Sequence, residues 1–225
     1  MINLHISEII KEKIKKIKFG LLLVKQVQII KNDPNFEKDL SELVVELKNK
    51  FSGRRPSDDP IIGHVRRMYR RIGWEPTQYR PSSEALVRRL LKDKGLYRIN
   101  NLVDYGNLIS ARYHLSMGLY DTEKINGNPV FDIGYKGERY QGISKDTIHA
   151  EGKLILRDNI GIFGNPTADS LRTAITENTR SALAIFFCPP EVDDSYLQKI
   201  LDAMQYYYRQ SCPKALMENR ILKTT

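Results

Sequence analysis

Cysteine is scarce in this chain, with only Cys188 and Cys212 among 225 residues. Cys188 lies in an apolar run and Cys212 stands next to a proline. Neither has a histidine or another cysteine at the spacing of a zinc site. We therefore expect no metal site, no cofactor and no disulfide between the two cysteines.

Long apolar runs are also missing. No stretch approaches the roughly 20 apolar residues that are needed to cross a bilayer. The first residues carry lysine and glutamate where a secretion signal would have its apolar block. The sequence predicts a cytoplasmic protein that makes no contact with a membrane.

The common motifs of catalysis do not occur. The chain has no HExxH, no GxSxG and no Walker loop. Its serine, histidine and aspartate residues do not stand at a spacing that indicates a catalytic triad. Local motifs alone therefore point to no reaction class.

Acidic residues are outnumbered, 27 against 36 basic ones, which leaves a net charge of +9. An excess of this sign favours an anionic partner, and nucleic acid is the first candidate. Many intracellular proteins are basic without binding nucleic acid, so the net charge leaves both alternatives open.

Arginines are concentrated in the helix predicted from Ile61 to Ile72. Like charges four residues apart on a helix repel each other, and a phosphate-bearing partner would offset that cost. Neighbouring aromatic residues could stack on bases. The alternative is a solvated basic face whose arginines pair with acidic residues such as Glu75 and Glu84. The candidate nucleic-acid contacts are Arg66, Arg67, Arg70, Arg71, Arg88 and Arg89.

The order of the predicted elements is strand, several helices, a run of strands and a last helix. This order indicates an α+β fold, a mostly antiparallel or mixed sheet packed by several helices, rather than alternating βαβ units. The predicted helices are 6–18, 34–50, 61–72, 82–94, one starting near 101 and one starting near 194. The predicted strands are 19–30, 130–133, 139–143, 154–156, 160–163 and 181–188.

The early strand needs a partner, and the late strands supply the obvious one. Pairing between them would join the two ends of the chain in one domain. We therefore predict a single domain over residues 18–210, an amphipathic N-terminal extension over 1–17 and a C-terminal tail over 211–225.

Four short motifs carry a resemblance to a known family. They are PSSE at 81–84, INNLVD at 99–104, MGLYD at 117–121 and GIFG at 161–164. In this order and spacing, residues 18–210 resemble the editing, tRNA-binding domain of the beta subunit of phenylalanyl-tRNA synthetase, as a free-standing protein. The resemblance implies an α+β fold and two partners, the aminoacylated 3′ end of a tRNA and the amino acid that it carries.

The resemblance also implies an amino-acid pocket with a glycine floor. Glycine inside a strand-like segment indicates either a bulge that curves the sheet or a close approach of a ligand to the backbone. The loop that follows, 165–173, is rich in hydrogen-bonding groups, which serve either its own turn or a bound ammonium, carboxylate or ribose hydroxyl. The candidate substrate contacts are Asn101, Gly118, Gly161, Gly164, Asp169 and Arg172.

Two positions depart from the family pattern. The residue that matches the histidine of the pocket turn is Gly118, and the pocket glutamate falls on Ala184 or Ile185. These side chains offer neither proton transfer nor an oxyanion donor. If the protein hydrolyses an ester, the candidate catalytic residues are therefore Asp169, His114 and Thr173.

The sequence leaves two functions open. One is hydrolysis of a mischarged aminoacyl-tRNA in trans, and the other is a non-catalytic module that binds an amino acid, RNA or a translation protein. The chain lacks the large core needed to activate an amino acid with ATP, so it is not a tRNA ligase by itself.

Overall fold

A computed structural model describes residues 2–144 and 146–224, which contain six α-helices and ten strands. The helices are α1 (Glu8–Lys13), α2 (Phe36–Lys50), α3 (Pro60–Arg70), α4 (Ser82–Leu90), α5 (Asn101–Tyr113) and α6 (Asp194–Ser211). The strands are β1 (His5–Ile6), β2 (Lys18–Lys25), β3 (Met117–Asp121), β4 (Val130–Ile133), β5 (Arg139–Gln141), β6 (Thr147–His149), β7 (Leu154–Arg157), β8 (Ile162–Gly164), β9 (Ser181–Cys188) and β10 (Leu216–Lys223).

The central sheet has the order β10-β2-β9-β3 and is antiparallel throughout. Strand β9, with the sequence SALAIFFC, lies between β2 and β3, and residues Ala182–Cys188 are buried. This apolar run forms where predicted because a central strand buries both of its faces.

A second sheet has the order β1-β4-β7-β8, in which only the β1–β4 pair is parallel, and β5 and β6 form a separate pair. Helices α5 and α6 pack on each other, and the Tyr208 hydroxyl donates to the Leu102 carbonyl at 2.9 Å. The predicted α+β class with mostly antiparallel sheets is confirmed.

The two ends of the chain are paired into the sheets. Isoleucines 10, 14 and 17 are fully buried, and β1 pairs with β4. Strand β10 pairs with β2 along its whole length. Residues 216–223 therefore form an edge strand within the segment predicted as a tail, and the domain limits at 17/18 and 210/211 remain predictions.

Strand β3 was predicted only as a turn, but it pairs with β9 from Met117 to Asp121. This pairing brings the MGLYD motif against the buried central strand β9. Both cysteines are buried as thiols.

Candidate functional site

A cavity of about 110 Å³ opens between α5, β3 and the loops around residues 143, 169 and 175. Its lining is mostly apolar. The apolar lining residues are Ile99, Val103, Gly106, Met117, Leu119, Ile143, Ala174 and Ile175, and the polar ones are Asn107 and Asp169. A concave apolar space with few polar groups is the usual form of a small-molecule site.

Asp169 supplies the one acidic group of this cavity. Its carboxylate accepts a hydrogen bond from the Tyr120 hydroxyl at 2.7 Å and another from the Leu119 backbone N–H at 3.2 Å. Burial raises the pKa of Asp169 to about 7, although both hydrogen bonds act in the opposite direction. A carboxylate has about four acceptor positions, so these two bonds leave room for a ligand donor.

The space beside Gly118 and Gly164 is not open, which corrects the expectation of a glycine floor. A Cβ atom added at Gly118 would stand 1.8 Å from the Tyr120 hydroxyl oxygen, and one at Gly164 would stand 2.5 Å from it. The Tyr120 phenol is fully buried between the two glycines and against Phe163. The glycines therefore make room for the protein's own tyrosine, and the cavity lies on the other side of β3.

Gly161 and Arg172 lie together in a separate structural cluster. The Arg172 guanidinium donates to both carboxylate oxygens of Asp158, at 2.9 and 3.1 Å, and to the Gly161 carbonyl at 3.3 Å. Gly161 has a φ of +147°, a conformation that favours glycine. Neither residue lines the cavity.

Asn101 and Thr173 are also tied to backbone groups. The fully buried Asn101 side chain accepts from the Ile30 N–H and donates to the Gln28 carbonyl, both at 3.0 Å, and the preceding Asn100 caps α5. The Thr173 hydroxyl donates to the Phe163 carbonyl at 3.2 Å. Neither side chain lines the cavity.

His114 ends α5 in the left-handed conformation and is completely buried. Its Nδ1 lies 3.0 Å from a carboxylate oxygen of Asp59, which also pairs with Lys50 at 2.8 Å. Asp59 caps the start of α3, and the contacts to His114 and Lys50 hold its pKa well below the usual range despite burial. Seven residues of helix, about 10 Å, separate His114 from Asn107 in the cavity wall.

The two departures from the family pattern face each other in the structure. Gly118 pairs with Ile185 in the β3–β9 ladder, and Leu119 pairs with Ala184. Directly paired residues in an antiparallel ladder have Cα atoms about 4.5 to 5.5 Å apart. The position expected for the histidine therefore pairs directly with Ile185, one of the two positions expected for the glutamate, and lies next to the partner of the other, Ala184.

Most of the predicted arginine contacts are paired with carboxylates. Buried Glu84 accepts from Arg66 at 2.9 Å and from Arg88 at 2.8 Å. Arg70 lies 3.5 Å from Glu75, and Arg71 pairs with Glu191. Within residues 2–144 and 146–224, only Arg67 and Arg89 of the six lack such a pair, so the cluster on α3 is largely neutralised.

A family model described as the B3/4 domain matches residues 64–217, more than half of the chain. The chain belongs to the B3/4 domain family. This domain is found in the beta subunit of phenylalanyl-tRNA synthetase, so the resemblance seen in the four motifs is confirmed. The matched residues include α5, β3 and the loop with Asp169, which together form the cavity of this B3/4 domain.

Comparison with solved structures finds an N-terminal fragment of the phenylalanyl-tRNA synthetase beta subunit from Pyrococcus horikoshii, with 10% identity and a TM-score of 0.48. The match covers 99% of this chain, which spans about half, 54%, of that fragment. A search of the curated proteins found no match. Among the described residues, no helix is both long and apolar enough to cross a membrane.

Of the residues that line the cavity, Asp169 is the one predicted as a site residue from the sequence. Met117 and Leu119 lie in the segment predicted as a turn, and Val103 and Asn107 lie on α5, for which the sequence predicts only a start near 101. The alternation in MGLYD could have revealed Met117 and Leu119, because it places both residues on one face of a strand.

Proposed function

We propose that this B3/4 domain binds the aminoacylated 3′ end of a tRNA and holds the amino acid in the cavity beside Asp169. The single observation that carries the proposal is the placement of one carboxylate at the edge of an otherwise apolar cavity. An aminoacyl ester presents a free ammonium next to its side chain. The ammonium would pair with the carboxylate, and an apolar side chain would fill the cavity.

The dimensions of the cavity support a small apolar side chain. An engineered protein cavity of about 150 Å³ holds benzene, and the cavity here measures about 110 Å³. The side chain would lie between Val103 and Leu119, with the ammonium directed at Asp169. The amide of Asn107 is the second polar group available for the ester or the ribose.

Hydrolysis of the ester is a second candidate function, favoured by the pKa of Asp169. A general base works best when its pKa lies near the working pH, and that of Asp169 is about 7. Its carboxylate would take a proton from a water molecule that attacks the ester carbonyl carbon, and the ribose oxygen would leave with a proton. This role competes with holding the ammonium, because an ion pair with the ammonium would lower the pKa of Asp169.

Two assays separate binding from hydrolysis. The first measures deacylation of a mixed pool of aminoacyl-tRNAs by the wild type, by Asp169→Asn and by a matched control on α6, Asp202→Asn. The second measures binding of non-hydrolysable 3′-aminoacylamino-adenosines that carry alanine, valine or phenylalanine.

We expect at least one of these analogues to bind the wild type and the Asp202→Asn control, and Asp169→Asn to bind it at least tenfold more weakly. Deacylation no faster than in buffer, together with analogue binding, would leave the non-catalytic module. If no analogue binds and no aminoacyl-tRNA is hydrolysed, the proposed function is wrong.

A further inference from the structure

We propose that the groove along α4 and the turn after it holds a single-stranded RNA segment and leads it to the cavity beside Asp169. This inference rests on the proposed function, since it names the surface that would hold the tRNA end. The groove measures about 290 Å³, and its polar lining residues are Arg80, Arg88, Arg89, Lys92, Lys94 and Tyr97.

The groove carries a large positive charge. Its lining contains five cations and no carboxylate. The carboxylate beneath it belongs to Glu84, which is shared by Arg66, Arg80 and Arg88. Six cations against one carboxylate leave a charge of +5. Asp93, in the same turn, is paired with Lys48 at 2.6 Å.

The groove differs from the end of α3, where arginines are paired with carboxylates. Arg70 and Arg71 pair with Glu75 and Glu191, whereas Lys92 and Lys94 form no ion pair within the part of the chain that the structure describes. Cations without a carboxylate partner bind phosphates and release the counterions condensed on the nucleic acid, which favours binding. The groove, rather than the face of α3, is therefore the stronger site for a polyanion.

Tyr97 gives the groove a surface for a base. Its side chain is 57% exposed, and the guanidinium of Arg89 lies 4.0 Å from the centre of its ring. Exposed aromatic rings beside cations are the usual platforms on which bases of single strands stack. A base paired in a duplex cannot reach such a ring, which favours a single strand.

The segment that follows Tyr97 connects the groove to the cavity. Tyr97 lines the groove, Arg98 turns away to Asp104 and Glu37, and Ile99 lines the cavity. Tyr97 and Ile99 are two residues apart, so the chain between the groove and the cavity spans at most about 7 Å. One end of a strand stacked on Tyr97 would therefore lie within reach of Ile99 and Asp169, and the proposed function requires that end to be the 3′ end.

The test measures binding of a fluorescent 12-nucleotide single-stranded RNA to the full chain by anisotropy. The groove variant is Lys92→Glu with Lys94→Glu, at two exposed positions, and the matched control is Lys199→Glu with Arg209→Glu on α6, which changes the net charge equally. Circular dichroism of both variants checks that the fold is kept. A duplex of the same length and heparin serve as competitors.

We expect the groove variant to bind at least tenfold more weakly at 100 mM salt and the control to bind within threefold of the wild type. The slope of log affinity against log salt should fall in magnitude by about 1.4, since each phosphate contact of a single strand contributes about 0.7. Tyr97→Leu should weaken binding at least fivefold without changing that slope. Equal effects of the two charge variants, or equal competition by duplex or heparin, would overturn the proposal.

The same variants separate this inference from the proposed function. The 3′-aminoacylamino-adenosine is too short to fill the groove, so its binding should be lost in Asp169→Asn and kept in the groove variant. If RNA binding depends on the groove but no analogue binds, only the proposed function is wrong. If the analogue binds and RNA binding is the same in the Lys92 and Lys94 variant as in the wild type, only the proposed role of the groove is wrong.

Discussion

The two faces of β3 differ in what lies against them. On one face, Gly118 and Gly164 leave a space that the Tyr120 phenol fills completely. On the other face, Met117 and Leu119 border a cavity that no side chain fills. Small residues in a motif therefore do not by themselves indicate a ligand pocket, because a neighbouring aromatic residue can occupy the space that they leave.

Asp169 lies where the two faces meet. One carboxylate oxygen accepts from Tyr120 on the filled side, and the other accepts from the Leu119 N–H beside the cavity. The tightly packed face thus fixes the orientation of the group that would contact a ligand on the open face. Substitutions can test whether the packed face orients Asp169 and the open face binds the ligand.

The largest effect is expected on the filled face. In Gly118→Ala, the new methyl group would overlap the Tyr120 hydroxyl, and we expect a loss of about 3 kcal/mol or more in the free energy of unfolding. The matched control is Gly63→Ala in α3, where the nearest atom to the new Cβ lies at 3.5 Å. That control should be stabilised by about 0.5 kcal/mol. Urea denaturation of both variants measures the contrast, and equal stabilities would show that Tyr120 does not fill this space.

A comparable effect is expected from Asp169→Asn, and it depends on pH. The pKa of Asp169 is raised in the folded state from 3.8 to about 7. Its stabilising contribution is therefore complete below about pH 4 and is lost as the pH rises towards 7, because ionisation favours the unfolded state. The stability of the variant relative to the wild type should increase by about 2 to 4 kcal/mol from pH 4 to pH 8. Thermal unfolding at four pH values measures it, and a constant difference would contradict the raised pKa.

Tyr120→Phe should cost about 1 kcal/mol, the usual value for one hydrogen bond. The hydrogen bond from Tyr120 lowers the pKa of Asp169, so its removal should move that pKa further up. Titration of the carboxyl group by carbon-13 NMR measures the shift. An unchanged pKa would show that the Tyr120 hydroxyl does not control the carboxylate.

The smallest effect on stability is expected on the open face. In Ala174→Leu, the larger side chain can occupy the existing cavity, and we expect a change within about 1 kcal/mol. The same variant should lose analogue binding, because the space for the amino-acid side chain is gone. Retained binding would place the ligand elsewhere.

The sequence predicted the elements whose pattern is local. Strand β9 forms over the predicted residues 181–188, α2 lies within the predicted range 34–50, and α6 starts at Asp194 as predicted. Strand β10, LMENRILK, was missed because an edge strand with mixed polarity does not show the pattern of a buried strand.

The site was predictable only in part. Asp169 follows from its polar loop and from the resemblance, but the position of Tyr120 depends on how β3 approaches β8, a strand of the other sheet. No local pattern contains that information. The same holds for Glu84, whose burial beneath three arginines is set by the packing of α4 against its neighbours.

The most direct measurement is the affinity of the 3′-aminoacylamino-adenosine for the wild type and for Asp169→Asn between pH 5 and pH 7. The ammonium of the ligand stays charged over this range, with a pKa near 8, while Asp169 ionises. We predict that wild-type affinity rises more than tenfold from pH 5 to pH 7 and that the affinity of the variant stays flat and low. Equal affinities for the two proteins at pH 7 would contradict the assignment of Asp169 as the group that holds the amino acid.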